Sequence, residues 1–275
     1  MKIDAHQHFW QYNPEKHAWI EDHMSTIRQD FLPKDLKPLL DKAGVEGTVA
    51  VQADESFDEN TFLLQLAKEN SFIKKVVGWV DLRSLSLEKS LEEYSTNPSM
   101  AGFRMILQGQ PPALMDDISF RNGMAKLKNY GYTYDILVFP HHLRATLDLV
   151  SHFPDQPFVI DHLAKPYIKD GKIDEWASWM KKIASFDNVH CKVSGMVTEA
   201  NWKSWTSAEL NPYIEVVLEA FGAERLMFGS DWPVQLLAAE YQQYHDLLSD
   251  YISSLSAVEQ ANIMGNNAAK FYGIQ

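Results

Sequence analysis

Cys191 is the only cysteine in the chain, so no disulfide can form within it, and a reducing compartment suits it. It stands in an apolar run and reads as a small buried packing residue. Positive charge is also scarce. Lys and Arg number 25 against 37 Asp and Glu, for a net charge of -12, which argues against nucleic acid or an anionic membrane as a partner. Membrane spans need roughly 18 or more consecutive apolar residues, and no segment approaches that length. The first residues lack a basic region followed by an apolar stretch and a small-residue cleavage site, so a cytoplasmic protein is expected. Gly/Ser tethers and low-complexity stretches are missing too. The expectation is one domain over residues 1–275.

What the chain does have is repetition. Short apolar, β-branched runs recur from end to end: Ile3 to Trp10, Gly47 to Ala53, Val76 to Leu82, Ala101 to Leu107, Tyr132 to Phe139, Pro157 to Leu163, Val189 to Gly195 and Arg225 to Trp232. Between them lie segments of helical period, such as Asp35 to Ala43, Glu59 to Glu69, Leu87 to Tyr94, Phe120 to Asn129, Asp174 to Phe186 and Pro212 to Phe221. A last helical stretch, Ala257 to Phe271, closes the sequence. Eight βα repeats predict an α/β fold, a single (β/α)8 TIM barrel with a C-terminal helical extension. Its functional residues would sit at the C-terminal ends of the strands.

That rule singles out four side chains. His6 and His8 share one face of the first strand, because alternate residues of a strand project to the same side. His162 ends the sixth run and Asp231 the eighth. Three neutral imidazoles can hold a zinc ion and leave a place for water while the aspartate takes a proton. Without a metal, the same imidazoles could donate hydrogen bonds to a substrate carbonyl. Taken singly, His162 could equally be a backbone-bonded imidazole and Asp231 a helix N-cap. The coincidence of all four at strand ends favours a hydrolytic site.

Arg104, Lys165 and Lys192 are expected around a ligand, with structural ion pairs or solvated charges as their alternatives. Lys192 would point toward the barrel mouth with Ser194 on the same face. Trp10 and Trp232 adjoin catalytic candidates and are expected as pocket walls. Gln52, Asp54 and Glu55, at the end of the second run, are candidates for contact with substrate hydroxyls. Trp202 and Trp205 fall in a loop after the seventh strand, and Trp176 and Trp179 read as outer-layer packing.

The motifs Asp4-Ala5-His6-Gln7-His8-Phe9-Trp10, Val77-Gly78-Trp79-Val80-Asp81-Leu82, Gly102-Phe103-Arg104, Asp161-His162-Leu163-Ala164-Lys165-Pro166, Lys192-Val193-Ser194-Gly195-Met196 and Gly229-Ser230-Asp231-Trp232-Pro233, with the ending Gly265-Asn266-Asn267-Ala268-Ala269-Lys270-Phe271-Tyr272, run through nearly the whole chain. In that order they resemble the amidohydrolase superfamily, and within it the amidohydrolase-2 group that includes sugar-acid lactonases. The resemblance implies that His6 and His8 form the first-strand pair and Asp231 the eighth-strand general base. It also implies one divalent metal, most simply zinc, on His6, His8, His162 and Asp231, although some lactonases of the group are thought to work without one. Two departures stand out. The fifth run carries no histidine, and Arg104 replaces the bridging lysine of binuclear members, so a binuclear centre is not expected.

The implied activity is hydrolysis of a sugar-derived 1,4-lactone of the L-rhamnono or L-fucono type by a homo-oligomer or monomer. The rival readings are a zinc-dependent amidohydrolase or decarboxylase acting on another carboxylated small molecule, and a non-catalytic sugar-acid binding barrel.

Overall fold

The computed structural model describes residues 1–275. Eight parallel strands follow one another around one sheet in sequence order: β1 (Ile3–Gln7), β2 (Gly47–Val51), β3 (Ile73–Gly78), β4 (Met100–Met105), β5 (Thr133–Ile136), β6 (Phe158–Ile160), β7 (Val189–Val193) and β8 (Leu226–Phe228). The sheet closes just beyond its last strand, where Asp231 N donates to His6 O at 2.8 Å and His8 N donates to Trp232 O at 2.7 Å. It is a (β/α)8 TIM barrel. The residues that seal it are also the residues that sequence reasoning placed in the site.

The connecting helices are α1 (Pro33–Ala43), α2 (Phe57–Glu69), α3 (Leu87–Ser95), α4 (Ile118–Leu127), α5 (Leu143–His152), α6 (Asp174–Ile183), the short α7 (Met196–Glu199), α8 (Ser207–Phe221) and α9 (Tyr241–Tyr251). Local signals explain several boundaries. Pro33 opens α1 where its missing N–H costs nothing, and Gly44 ends it in the left-handed region at φ 67°. Ser56 and Asp117 accept backbone N–H groups at the starts of α2 and α4. A helix is expected to begin at His141 and His142, where α5 follows, but α9 is not among the helical segments expected from the sequence. The buried face of α9 is built from Tyr241, Tyr244 and His245 as well as Leu247 and Leu248, so its apolar period is weak to read.

Burial forms two layers. The larger cluster lies between sheet and helices and takes Phe103, Tyr134, Ile136, Phe158, Ile160, Cys191, Val193 and Phe228 from the outer strand faces. A smaller one fills the barrel floor with Ile3, Ala5, Val49, Val51, Val77, Ala101, Val159 and Met227. Cys191 packs in the larger cluster as an inert thiol, its pKa pushed up by burial.

The final helical stretch is not continuous. It divides into α10 (Ala257–Ala261), a π turn at Asn262–Asn266, and α11 (Asn267–Tyr272). At Gly265 a Cβ would come within 2.1 Å of Met1 O, so a side chain there would push the helix off the barrel floor. That close approach lets α11 send Ala268 and Tyr272 into the inner cluster. No helix is long and apolar enough to cross a membrane.

Candidate active site

The four residues predicted from strand ends meet in space. A register irregularity between Asp4 and Gln7 lets β1 place Ile3 and Ala5 in the floor while turning His6 and His8 to the same centre. Asp231 Oδ1 lies 3.4 Å from His8 Nε2, 3.9 Å from His6 Nε2 and 3.8 Å from His162 Nε2. His6 Nε2 and His8 Nε2 are themselves 3.2 Å apart.

Each ring is held from behind. His8 Nδ1 is 2.8 Å from Val51 O and must donate to it, which leaves Nε2 with a lone pair directed at the shared centre. His162 Nδ1 is 2.9 Å from the Ser194 hydroxyl. Burial pushes the His6 and His162 imidazoles well below their usual pKa, so both are neutral at pH 7. Burial pulls the Asp231 carboxyl upward, but His162 and His8 outweigh it and hold the group below its ordinary value.

The backbone that delivers these groups is strained. His162, Leu163, Ala164 and Lys165 have φ of 53°, 52°, 57° and 51°, and Asp231 has 63°. A left-handed run of non-glycine residues costs roughly 1–2 kcal/mol per residue. Tertiary bonds hold it, including Trp176 Nε1 donating to Leu163 O at 2.7 Å. Gly195, at φ 60°, makes room for the result: a Cβ there would sit 2.6 Å from His162 Nδ1 and 3.1 Å from Asp231 Oδ2. Gly195→Ala is therefore expected to displace the His162 ring and cost about 2 kcal/mol of stability. Urea unfolding checks this, and an unchanged midpoint would show that the loop yields freely.

A cavity of about 340 Å³ opens onto the cluster, lined by His8, His162, Asp231, Arg104 and Lys165, with Trp19, Met24, Ile106, Leu137 and Trp202 among its apolar walls. One end is polar, where Lys165 Nζ pairs with Glu199 Oε1 at 3.3 Å.

Residues 3–274 match the model of the Amidohydro_2 family, described as amidohydrolase. The chain belongs to the amidohydrolase family. It is 37% identical to an L-fucono-1,5-lactonase of Burkholderia multivorans, with 100% of this chain and 96% of that enzyme covered. An L-rhamnono-gamma-lactonase of Scheffersomyces stipitis is 27% identical, covering 70% of this chain and 66% of its own. Among solved structures, a Burkholderia multivorans amidohydrolase crystallised with bound zinc is 37% identical with a TM-score of 0.97, both chains being covered in full.

The donor set of this amidohydrolase suits such an ion. His6, His8 and Asp231 bring three ligand atoms within 4.8 Å of one another. The His6–His8 distance of 3.2 Å and the His8–Asp231 distance of 3.4 Å are close to the edge, about 3.3 Å, of a tetrahedron with zinc–nitrogen bonds of about 2.0–2.1 Å. Asp161 Oδ1, buried with no aligned hydrogen-bond partner, stands 3.2 Å behind His6 Nδ1. That is where a ligating imidazole finds a carboxylate to accept the proton of its other ring nitrogen.

Other expected contacts fall elsewhere. Lys192 is fully buried beneath His6 and absent from the cavity lining, so it is a support and not a wall of the pocket. Trp10 and Trp232 are also buried and line no part of this cavity. Trp10 packs on Phe31 and donates to Gln29 O, and Trp232 packs between Phe9 and Phe31. Their place is taken by Trp19 and Trp202. Arg104 does both things weighed for it: it lines the cavity, and its Nη1 pairs with Asp161 Oδ2 at 3.0 Å. Gln52 holds Arg104 through Nη2, which donates to Gln52 O and, at 3.1 Å, to Gln52 Oε1. Neither Gln52, Asp54 nor Glu55 reaches the cavity. Asp161, Asp135 and Glu199 are not among the sequence-derived candidates. An Asp in the apolar fifth run and a Lys in the seventh were the signal of a buried pair.

Proposed function

We propose that this amidohydrolase opens sugar-derived lactones to the corresponding acids. The observation that carries the reading is the gathering of three imidazoles, His6, His8 and His162, on one aspartate, Asp231, at the floor of a sugar-sized cavity. The full-length likeness to an L-fucono-1,5-lactonase supports a deoxyaldonolactone. It also makes the 1,5 ring the first to assay, beside the 1,4 ring that the family resemblance implies.

In this reading Asp231 accepts a proton from the water that attacks the lactone carbonyl, and returns it to the departing ring oxygen as the ester bond breaks. His8, fixed by Val51, presents a bare Nε2 that suits a metal and cannot donate to a carbonyl oxygen, and His162, fixed by Ser194, turns its Nε2 to the same centre. Arg104 and the Lys165–Glu199 pair supply donors and acceptors for hydroxyls, and Trp19 and Trp202 offer flat faces to sugar C–H groups. His6, His8 and Asp231 would hold a zinc ion, with His162 adjacent; when bound, it supplies Lewis-acid polarisation of the carbonyl.

The test is a pH-indicator assay over 1,4- and 1,5-aldonolactones that vary in stereochemistry, before and after dialysis against a chelator. Acid release above the spontaneous rate is expected with a subset of the panel, falling after chelation and returning with added zinc. Activity unaltered by exhaustive chelation would remove the metal from the reading. Failure to open any lactone despite measurable binding would favour a sugar-acid binding barrel.

A further inference from the structure

Beneath the imidazoles lies a layer of buried charge whose Lys192, Asp135 and Asp161 the proposed reaction does not use. Lys192 Nζ stands 2.5 Å from Asp135 Oδ2, 3.1 Å from Asp161 Oδ1 and 3.2 Å from His6 Nδ1, and both ends of each ion pair are fully buried. Arg104 binds the other oxygen of Asp161 at 3.0 Å. Tyr272, carried in by α11, donates to Asp135 Oδ2 at 2.9 Å. Two cations and two carboxylates balance, and the layer reaches the cavity through Arg104 and touches the imidazoles at His6.

His6 Nδ1 therefore faces two partners of opposite preference. The Lys192 ammonium is a pure donor and favours a bare Nδ1, which puts the ring proton on Nε2. Nε2 faces the same choice: in this form its N–H can donate to His8 Nε2 at 3.2 Å, whose own Nδ1–H donates to Val51 O at 2.8 Å, whereas Arg104 Nη1, a pure donor 3.3 Å away, favours a bare Nε2. The Asp161 carboxylate is a pure acceptor and favours Nδ1–H, which bares Nε2. Its Oδ1 is within 3.2 Å of Nδ1 yet engaged in no aligned hydrogen bond.

Resting on the zinc-binding part of the proposed function, we infer that Lys192 and Asp161 are positioning residues that make His6 a two-tautomer ligand. With no cation, Lys192 donates to Nδ1 and the proton sits on Nε2. When a divalent cation takes the Nε2 lone pair, that proton leaves Nε2, Nδ1 carries one instead, and Asp161 Oδ1 accepts it. The ring stays neutral throughout. Asp161 thereby supplies the carboxylate that raises the basicity of a ligating imidazole, and Lys192 holds the ring in place while the site is metal-free.

The test reads tautomers directly, by nitrogen-detected NMR of protein labelled with ¹⁵N-histidine, with and without one equivalent of zinc. Wild-type His6 is expected as Nε2–H without zinc and as Nδ1–H with it. Asp161→Asn, whose amide can donate to Nδ1, is expected to remain Nε2–H and to bind zinc about 10- to 100-fold more weakly in chelator competition. A His6 that is already Nδ1–H without zinc, or Nε2–H with zinc bound, overturns the inference and leaves the zinc site intact. So does wild-type zinc affinity in a folded Asp161→Asn protein. If wild type binds no zinc at all, the failure lies in the metal part of the proposed function. The wild-type spectra decide the matter even if the variant does not fold.

Discussion

Asp231→Asn is expected to lower kcat for lactone opening by about 10²- to 10⁴-fold, the usual contribution of a positioned general base. An amide oxygen cannot take the proton of the attacking water, and an amide nitrogen turned toward His8 or His162 would offer a donor where a carboxylate was. The fold should survive. Asp231 lies at φ 63°, a region that asparagine tolerates well, and its backbone N–H still reaches His6 O at 2.8 Å to close the barrel. The measurement is kcat and KM alongside a thermal melt. Loss of kcat with KM and melting temperature within a small margin of wild type would mark a residue acting in the transition state. Turnover close to wild type would transfer the role of base to another group on the cavity wall.

Lys192→Met should cost stability on a scale that few single substitutions reach. The methionine can occupy much of the lysine volume, but Asp135 and Asp161 would lose the ammonium between them, and both are fully buried. Removing one partner of a buried charge cluster costs about 3–5 kcal/mol, because the remaining charge has lost its water as well as its partner. Burial already raises the Asp135 carboxyl to about 6 even with Lys192 beside it, so in the variant it would take up a proton near neutral pH. Urea unfolding is expected to show a lowered midpoint with an unchanged slope, and more loss at pH 8 than at pH 6. A loss below about 1 kcal/mol would mean that the layer is not held by charge.

The sequence made the barrel readable because each strand is a compact apolar run and each is followed by a helix. It also placed His6, His8, His162 and Asp231 correctly at one rim, since two of them share a strand face and two end later strands. The misplaced residues show where one-dimensional reasoning stops. Trp232 immediately follows Asp231, but the chain there has left β8 and is left-handed at Asp231, which turns Trp232 away from the cavity and in between Phe9 and Phe31. Trp10 has the right spacing from His8, but β1 ends at Gln7 and the chain bends to pair Trp10 with Phe31. Lys192 was read with the correct face and the wrong depth: a side chain directed into a barrel can stop beneath the site. Asp161 escapes the alternation rule, because the chain turns left-handed at His162 and both residues then address His6. Trp19, Glu199 and Trp202 come from segments between strands, where sequence does not specify direction.

Hydrolysis at the Asp231 cluster is measured most directly by the initial rate of acid release from L-fucono-1,5-lactone and its 1,4 isomer. Wild type and Asp231→Asn should be compared at matched concentration, against the spontaneous opening of each ring. Strong acceleration by wild type on at least one isomer is expected, with a rate near the spontaneous one for the variant. Equal rates for the two proteins, or no acceleration by wild type on either ring, would contradict it.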